Sequence, residues 1–377
     1  MRFCLVTTQR DSGGGEVLLT SIADQLSMAG HTISWIARRN SEVAKTLKSL
    51  DRTTLHLIKG RGRNPRDVLR TRRAIQDWAP DVVIMNDTHA VMLAGLATVG
   101  LGEQRPVRLA YKHTVFPLRS RLKYRLLADK VVCVSKAARD TILAGGLPAD
   151  DTVVIYGGIP VPPQLPIDEV QREVREELDV ARNQKLIVAI GNLLPVKGHD
   201  DLLHALGQLP KHLDYQLVIA GEGSHRQQLE SLIDTCHLSP KVRLLGFRND
   251  VHRLMAAADL IVHPSRLEGL SLVLIQAQML RKPIVATAVG GAAEVLDADA
   301  AQPQSSSWIA QANSPESIAE KLIAALEALD DQHTHLSLEA DLDFVAARAR
   351  RQFSLQTNSQ KLVEVATELR SQQRRAA

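Results

Sequence analysis

Short apolar runs rich in β-branched residues alternate with amphipathic helical patterns along almost the whole chain, and that alternation leaves few folds open. Strand, helix and strand in repeated succession define βαβ units, whose parallel strands must be covered by helices on both faces. The strands expected in the first half are 3–7, 32–37, 54–58, 82–86, 107–111, 130–134 and 152–156. Between the first two, 16–28 carries Val17, Leu18, Ile22 and Leu26 at helical spacing. A second series follows at 186–190, 216–220, 242–245, 260–262, 283–286 and 307–309.

The two series are parted by Gly157-Gly158-Ile159-Pro160-Val161-Pro162-Pro163-Gln164-Leu165-Pro166, whose prolines can continue neither a helix nor a central strand. A chain of 377 residues also exceeds what one hydrophobic core usually organises. The expectation is two α/β lobes, residues 1–165 and 166–354. A helical tail, about 355–377, is a candidate to cross back onto the first.

Composition narrows the function. Aromatic residues make up only 3%, too few for the stacking platforms of single-strand nucleic-acid binders, and no nucleic-acid reader motif accompanies the charge. The net charge is +4, but basic residues cluster. Lys59, Arg61, Arg63, Arg66, Arg70, Arg72 and Arg73 form one group, Arg119, Arg121, Lys123 and Arg125 a second, and Arg348, Arg350, Arg351, Arg370, Arg374 and Arg375 a third. Such clusters fit a solvated surface or an anionic acceptor or lipid surface. Cys4, Cys133 and Cys236 have no zinc-like or paired spacing and suit a reducing compartment. The first residues run directly into a strand pattern, and no apolar stretch is long enough to cross a bilayer. The expected location is the cytoplasm, at or near the inner face of a membrane.

Ser12-Gly13-Gly14-Gly15-Glu16 joins the first strand to the first helix, where glycines allow close backbone approach and helix N–H groups attract phosphate. It lacks the full dinucleotide fingerprint and any Gly-Lys-Ser/Thr. The second half repeats the device. Gly191-Asn192-Leu193-Leu194-Pro195-Val196-Lys197-Gly198, Ala220-Gly221-Glu222-Gly223, Gly246-Phe247 and His263-Pro264-Ser265-Arg266-Leu267-Glu268-Gly269-Leu270-Ser271 each close a strand. Ligands of open α/β sheets bind at those carboxyl ends. Ser135 reads as the cap of a helix beginning at Lys136.

The ordered set resembles glycosyltransferase family 4, retaining enzymes of the GT-B fold. The residues that carry it are Lys197-Gly198, Ala220-Gly221-Glu222-Gly223, Ala258-Asp259, Pro264-Ser265 with Glu268-Gly269, and Gly290-Gly291 with Glu294. The first half adds Gly14-Gly15-Glu16, Gly30-His31, His113 and Ala128-Asp129 through Ser135, and Trp308-Ile309 and Pro315-Glu316 extend it. The resemblance implies two Rossmann-like lobes facing a central cleft. It implies transfer of a hexose-type sugar from a nucleotide-diphosphate sugar to a hydroxyl of a lipid-linked or envelope glycan such as lipopolysaccharide or capsule. Lys197 would neutralise the leaving diphosphate. Gly14 and Gly15 would face the same phosphates, Glu268 would bind donor-sugar hydroxyls, and His113 would lie near the transferred sugar. Asn192, Gly221, Glu222, Phe247, Gly269, Leu270, Ser271, Leu272 and Gln276 would complete the donor site. No metal or other cofactor is required; Asp297-Ala298-Asp299 and Asp341-Leu342-Asp343 read as surface carboxylates.

Two positions depart from the family pattern. Gln276 stands eight residues after Glu268, where a second glutamate usually binds the ribose. Losing that charge-assisted bond costs about 1–2 kcal/mol of donor binding. Asn192 stands where an arginine is common, so a second diphosphate cation is missing unless Arg266 or a first-lobe residue substitutes. Two alternatives therefore accompany the transferase: a nucleotide-sugar-binding partner protein of weakened catalysis, and a sugar-nucleotide epimerase of the same fold.

Overall fold

The computed structural model describes every residue except 12, 49–53, 61, 63, 164, 298–304, 332, 334 and 377. The described chain forms two compact units, Met1–Pro160 with Phe353–Ala377, and Val161–Gln352. The division falls at 160/161 and 352/353, against 165/166 and 354/355 drawn from the sequence. The reason is local: Ile159 N–H donates to Phe353 O at 3.1 Å and Leu355 N–H to Ile159 O at 2.9 Å, tying both ends of the excursion into the first unit. The predicted arginine and aspartate positions 61, 63 and 299, and Ser12 of the glycine turn, lie outside the described residues.

The first unit holds seven strands, β1 Arg2–Thr7, β2 Thr32–Arg38, β3 Thr54–Ile58, β4 Val82–Met85, β5 Val107–Lys112, β6 Lys130–Cys133 and β7 Thr152–Val154. All pairings are parallel, in the order β3-β2-β1-β4-β5-β6-β7. The second holds β8 Lys185–Ile190, β9 Tyr215–Ala220, β10 Val242–Gly246, β11 Leu260–His263, β12 Ile284–Thr287 and β13 Ser307–Ala310. It too is wholly parallel, ordered β10-β9-β8-β11-β12-β13. Two Rossmann-like sheets therefore stand where the alternating sequence required parallel sheets.

Burial explains the continuous apolar runs. Every residue of β4, β5, β9, β11 and β12 is buried, as a sheet covered on both faces demands. Ile187, Leu202, Leu217, Leu260 and Leu322 join one core in the second unit. Cys4 and Cys133 are buried free thiols, both pushed up to about 12 by that burial, and pack as apolar side chains. Helix starts carry the expected caps: Ser135 Oγ accepts from Ala138 N at 3.0 Å, and Asp87 from His89 and Ala90.

The C-terminal helix Leu355–Ala376 packs on the helix Gly14–Met28 and on β5. Its entry is anchored by Phe353, fully buried and edge-on to Tyr156 with ring centres 5.2 Å apart. Emptying that position, Phe353→Ala, should destabilise the first unit by about 3–5 kcal/mol. A urea titration should show its midpoint falling, and an unmoved midpoint would contradict this packing role.

Candidate functional site

In each sheet the strand order reverses once, between β1 and β4 and between β8 and β11. At such a point the flanking loops lead to opposite faces and open a crevice beyond the strand ends. The charged candidate pair Lys197 and Glu268, and His113 with the Gly14-Gly15 turn, lie at or next to these two places, while Gly221, Glu222 and Phe247 follow the strands β9 and β10 beside the second.

In the second unit, β8 runs into the loop that carries Lys197, and β11 ends at His263 and leads to Glu268. Lys197 Nζ meets Glu268 Oε1 at 2.5 Å. The same oxygen accepts from His263 Nε2 at 2.9 Å and from Ser265 Oγ at 2.8 Å. All three donors converge on Oε1, and Oε2 receives none of them. Burial alone would raise the Glu268 carboxyl, but hydrogen bonding and charge from His263 and Lys197 outweigh it and hold the group at about 2. Glu268 is 7% exposed, and Lys197 is half-buried beside it.

Glycine makes this convergence possible. Gly198 has φ +64°, and a Cβ there would fall 2.1 Å from Pro264 O, so only glycine lets the lysine turn lie against the end of β11. Gly221 brings the β9 loop onto the β8 loop in the same way, with a Cβ position 1.9 Å from Gly191 O.

Around the pair, Ser271 caps the helix Leu272–Met279 by accepting from Leu274 N, and its Oγ lies 3.1 Å from His263 Nε2. Gly269, Leu270 and Leu272 are half-buried at that helix start, and Gln276 is half-buried one turn further on. Asn192 is exposed on the β8 loop. Phe247, beyond β10, is 74% exposed. Glu222 pairs with Arg226 at 2.7 Å and is only partly available. Arg266 is not free to supply the missing cation. Its guanidinium is spent on Asp201 at 2.7 and 2.8 Å, Asp200 at 2.9 Å and Pro195 O at 2.9 Å.

His199 follows Gly198 and is 2% exposed with neither ring nitrogen bonded. Burial, aided by the neighbouring His263 and Lys197, pushes it down to about 4. The acidic pairs are structural where described: Asp297 binds Arg348, Asp341 accepts from Ser306 N, and Asp343 binds Arg281. Among the described residues no three His, Cys, Asp or Glu side chains are placed to hold a metal.

In the first unit, Gly14 is exposed and Gly15 half-buried at the start of the helix Gly14–Met28. His113 follows β5, stacks on Tyr111 with centres 5.4 Å apart, and lies 2.8 Å through Nε2 from Asn86 Oδ1. Burial pushes His113 down to about 4. Asn86, Glu16 and Ser265 complete these clusters together with His263, whose place before Pro264-Ser265 suits the lining of a cleft; the sequence gives the first three no role of their own. Their signal was faint: a polar residue directly after an apolar strand, or inside a loop already noted for other residues.

Two Rossmann-like sheets, each with polar and charged side chains at the strand-order reversal, define an α/β protein of the class whose ligands bind at strand carboxyl ends. Comparison with known sequences supplies the family. A sequence model of glycosyl transferases group 1 matches residues 170–337, and one of glycosyltransferase family 4 matches residues 12–161. The chain belongs to the family-4-type glycosyltransferases of GT-B fold. An uncharacterized glycosyltransferase of Methanocaldococcus jannaschii is 32% identical over 173 residues, 44% of this chain and 44% of that protein. Lipopolysaccharide glucosyltransferase WaaG of Escherichia coli is 34% identical over 128 residues, 33% of this chain and 34% of WaaG. The alignments thus span less than half of these curated relatives. The crystal structure of HepE from Anabaena in complex with UDP superposes with a TM-score of 0.81 at 21% identity, covering 98% of this chain and all of that one.

One fully buried and one half-buried imidazole, His199 and His113, make stability depend on pH. His199 and His113 each have a folded value of about 4 against an ordinary 6.5, so the unfolded chain binds their protons more tightly. Their contribution is complete above pH 6.5 and is lost as pH falls through about 4. His199→Phe, which removes two unbonded nitrogens, should keep stability at pH 7 and reduce its fall on acidification. Urea midpoints of wild type and variant at pH 7 and 5 check this; parallel losses in the two proteins would refute it.

Proposed function

We propose that the chain transfers a hexose-type sugar, with retention of anomeric configuration, from a nucleotide-diphosphate sugar to a hydroxyl of a lipid-linked or cell-envelope glycan. The observation that carries this reading is the Lys197–Glu268 pair at the β8/β11 reversal. Glu268 Oε1 keeps His263 and Ser265 as donors when Lys197 leaves it, so the ammonium can move to a diphosphate without stranding a buried carboxylate. There it would offset the negative charge that grows as the glycosidic bond to phosphate breaks. Glu268 Oε2 would accept sugar hydroxyls. N–H groups from Gly269 to Leu272, at a capped helix start, would hold phosphate or sugar oxygens. Asn192, Gly221, Glu222 and Gln276 would line the nucleotide, and the exposed Phe247 offers a face for the base. Because lysine and backbone dipoles supply the positive charge, the reaction would proceed without a metal.

The capture of UDP by HepE, a protein of the same fold, supports a nucleotide-diphosphate donor. The likeness to WaaG, a lipopolysaccharide glucosyltransferase, supports an envelope glycan as acceptor. In the first unit the helix Thr88–Ala97 packs against both Pro65–Trp78 and Arg121–Leu127. Arg66, Arg70, Arg73, Arg119, Arg121 and Arg125 are exposed there, together with Leu69, Leu122 and Leu126. Cationic and apolar side chains in one neighbourhood suit an anionic lipid surface or a lipid-linked acceptor, and they support the reading of a cytoplasmic protein peripheral at the inner face of a membrane. The third basic group does not share this character. Arg348 and Arg350 belong to the second unit and bind backbone carbonyls, while Arg370 of the first unit pairs with Asp81. No described helix is long and apolar enough to cross a membrane.

A thermal-shift panel of UDP-, GDP-, ADP- and CMP-sugars should raise the melting temperature with the true donor. Lys197→Ala should abolish most of that shift and lower kcat/KM by about a hundredfold or more. A donor that binds but is never turned over with any glycan acceptor would favour a partner protein of weakened catalysis. Isomerised sugar nucleotide released without acceptor would favour the epimerase. For the surface, vesicles of phosphatidylglycerol should bind the protein and those of phosphatidylcholine should not. Charge reversal at Arg119, Arg121 and Arg125 should release it, and retention by these variants would remove the lipid reading.

A further inference from the structure

A chain of three polar side chains crosses the strand-order reversal of the first unit. Glu16, 7% exposed in the first turn of the helix Gly14–Met28, accepts from Thr7 Oγ1 at 3.3 Å and from Asn86 Nδ2 at 3.0 Å through Oε1. Its Oε2 accepts from Gly13 N at 3.2 Å. Asn86, 2% exposed and one residue past β4, then faces His113 Nε2 through Oδ1 at 2.8 Å.

The order of donors along this chain follows from which atoms can donate. An ionised carboxylate only accepts, so Asn86 must turn its NH2 toward Glu16. That leaves Oδ1, which also only accepts, toward the imidazole, and Nε2 must therefore carry the ring proton. The lone pair of the neutral ring is then at Nδ1. Two contacts keep the ring in place. Tyr111 stacks on it at an interplanar angle of 22°, and Gly15 approaches so closely that a Cβ there would sit 3.2 Å from His113 Cδ2. The nearby Asp87 does not compete as a partner, because its oxygens are engaged by Thr8 N and Oγ1, His89 N and Ala90 N.

We propose that Glu16 and Asn86 are positioning residues that fix His113 as a neutral, Nε2-protonated imidazole, so that it meets a sugar hydroxyl as a hydrogen-bond acceptor and not as an acid. The substrate half of this statement rests on the transferase reading; the tautomer half rests on the Glu16–Asn86–His113 geometry with Glu16 ionised. Burial, which holds the ring well below the ordinary imidazole range, favours the same neutral form. Glu16 itself is held above the ordinary carboxyl range, because burial, joined by the charge of Asp87, outweighs the bonds from Gly13 and Thr7.

The test is long-range proton–nitrogen NMR on protein labelled with 15N-histidine, the His113 signal being the one lost in His113→Gln. Wild type should show a protonated Nε2 and a bare Nδ1 throughout neutral pH, without titrating there. Asn86→Asp puts an anion beside the ring and should raise its titration into or above the ordinary imidazole range. Glu16→Gln, able to donate as well as accept, should let both tautomers appear, and should lower kcat several-fold with the donor KM unchanged. A wild-type ring protonated at Nδ1, or one that titrates like free histidine, overturns the proposal. So do variants whose tautomer and titration match wild type. The NMR measurement needs no substrate, so a correct tautomer in a protein that transfers no sugar would fail the transferase reading alone.

Discussion

A parallel sheet covered by helices on both faces leaves its backbone open at the ends of its strands, and there only one place per sheet is not bridged by a crossover. That constraint governs both units of this chain. The gap lies between β1 and β4 in one and between β8 and β11 in the other. Glu16, Asn86 and His113 cluster at the first, and Lys197, His263, Ser265 and Glu268 at the second. Side chains far apart in sequence meet because the strand order reverses there, and the glycines at 198 and 221 let their loops close upon one another.

The second cluster shows how a buried carboxylate is kept charged and still useful. Burial of an isolated carboxylate would favour its neutral form. Three donors on one oxygen reverse that, and they hold the other oxygen in a fixed direction. The first cluster solves a different problem: a carboxylate transmits orientation through an amide to an imidazole without sharing a charge with it. Glu268, His263 and Asn86 are each held by at least two neighbours, whereas Lys197 is tied by Glu268 and can move.

Much of the architecture was legible in the sequence. Strands expected at 3–7, 82–86, 186–190 and 260–262 appear at Arg2–Thr7, Val82–Met85, Lys185–Ile190 and Leu260–His263, because fully buried parallel strands have no polar face to interrupt the apolar run. The Ser135 cap was equally plain, since it depends on neighbours three residues away. Long-range contacts were not. Strand order is invisible in a linear pattern, so nothing indicated that Asn86 would face Glu16 across β1 and β4, 70 residues apart. Arg266 offered itself as a spare cation, but Asp200 and Asp201, which precede it by 66 and 65 residues, absorb its charge. The third arginine group was a cluster only along the chain, for Arg348 and Arg370 fall in different units.

The return of residues 353–377 to the first unit bears on how the protein is made. The second unit is one unbroken stretch, 161–352, and holds every residue it needs before the last helix has been translated. The first unit begins earlier but lacks Phe353 and the helix beyond it until the whole of 161–352 has been made. Domains fold as units when their chain has emerged from the ribosome. The unit that is started first is therefore completed after the second, and until then the surface that receives the helix Leu355–Ala376 stays uncovered.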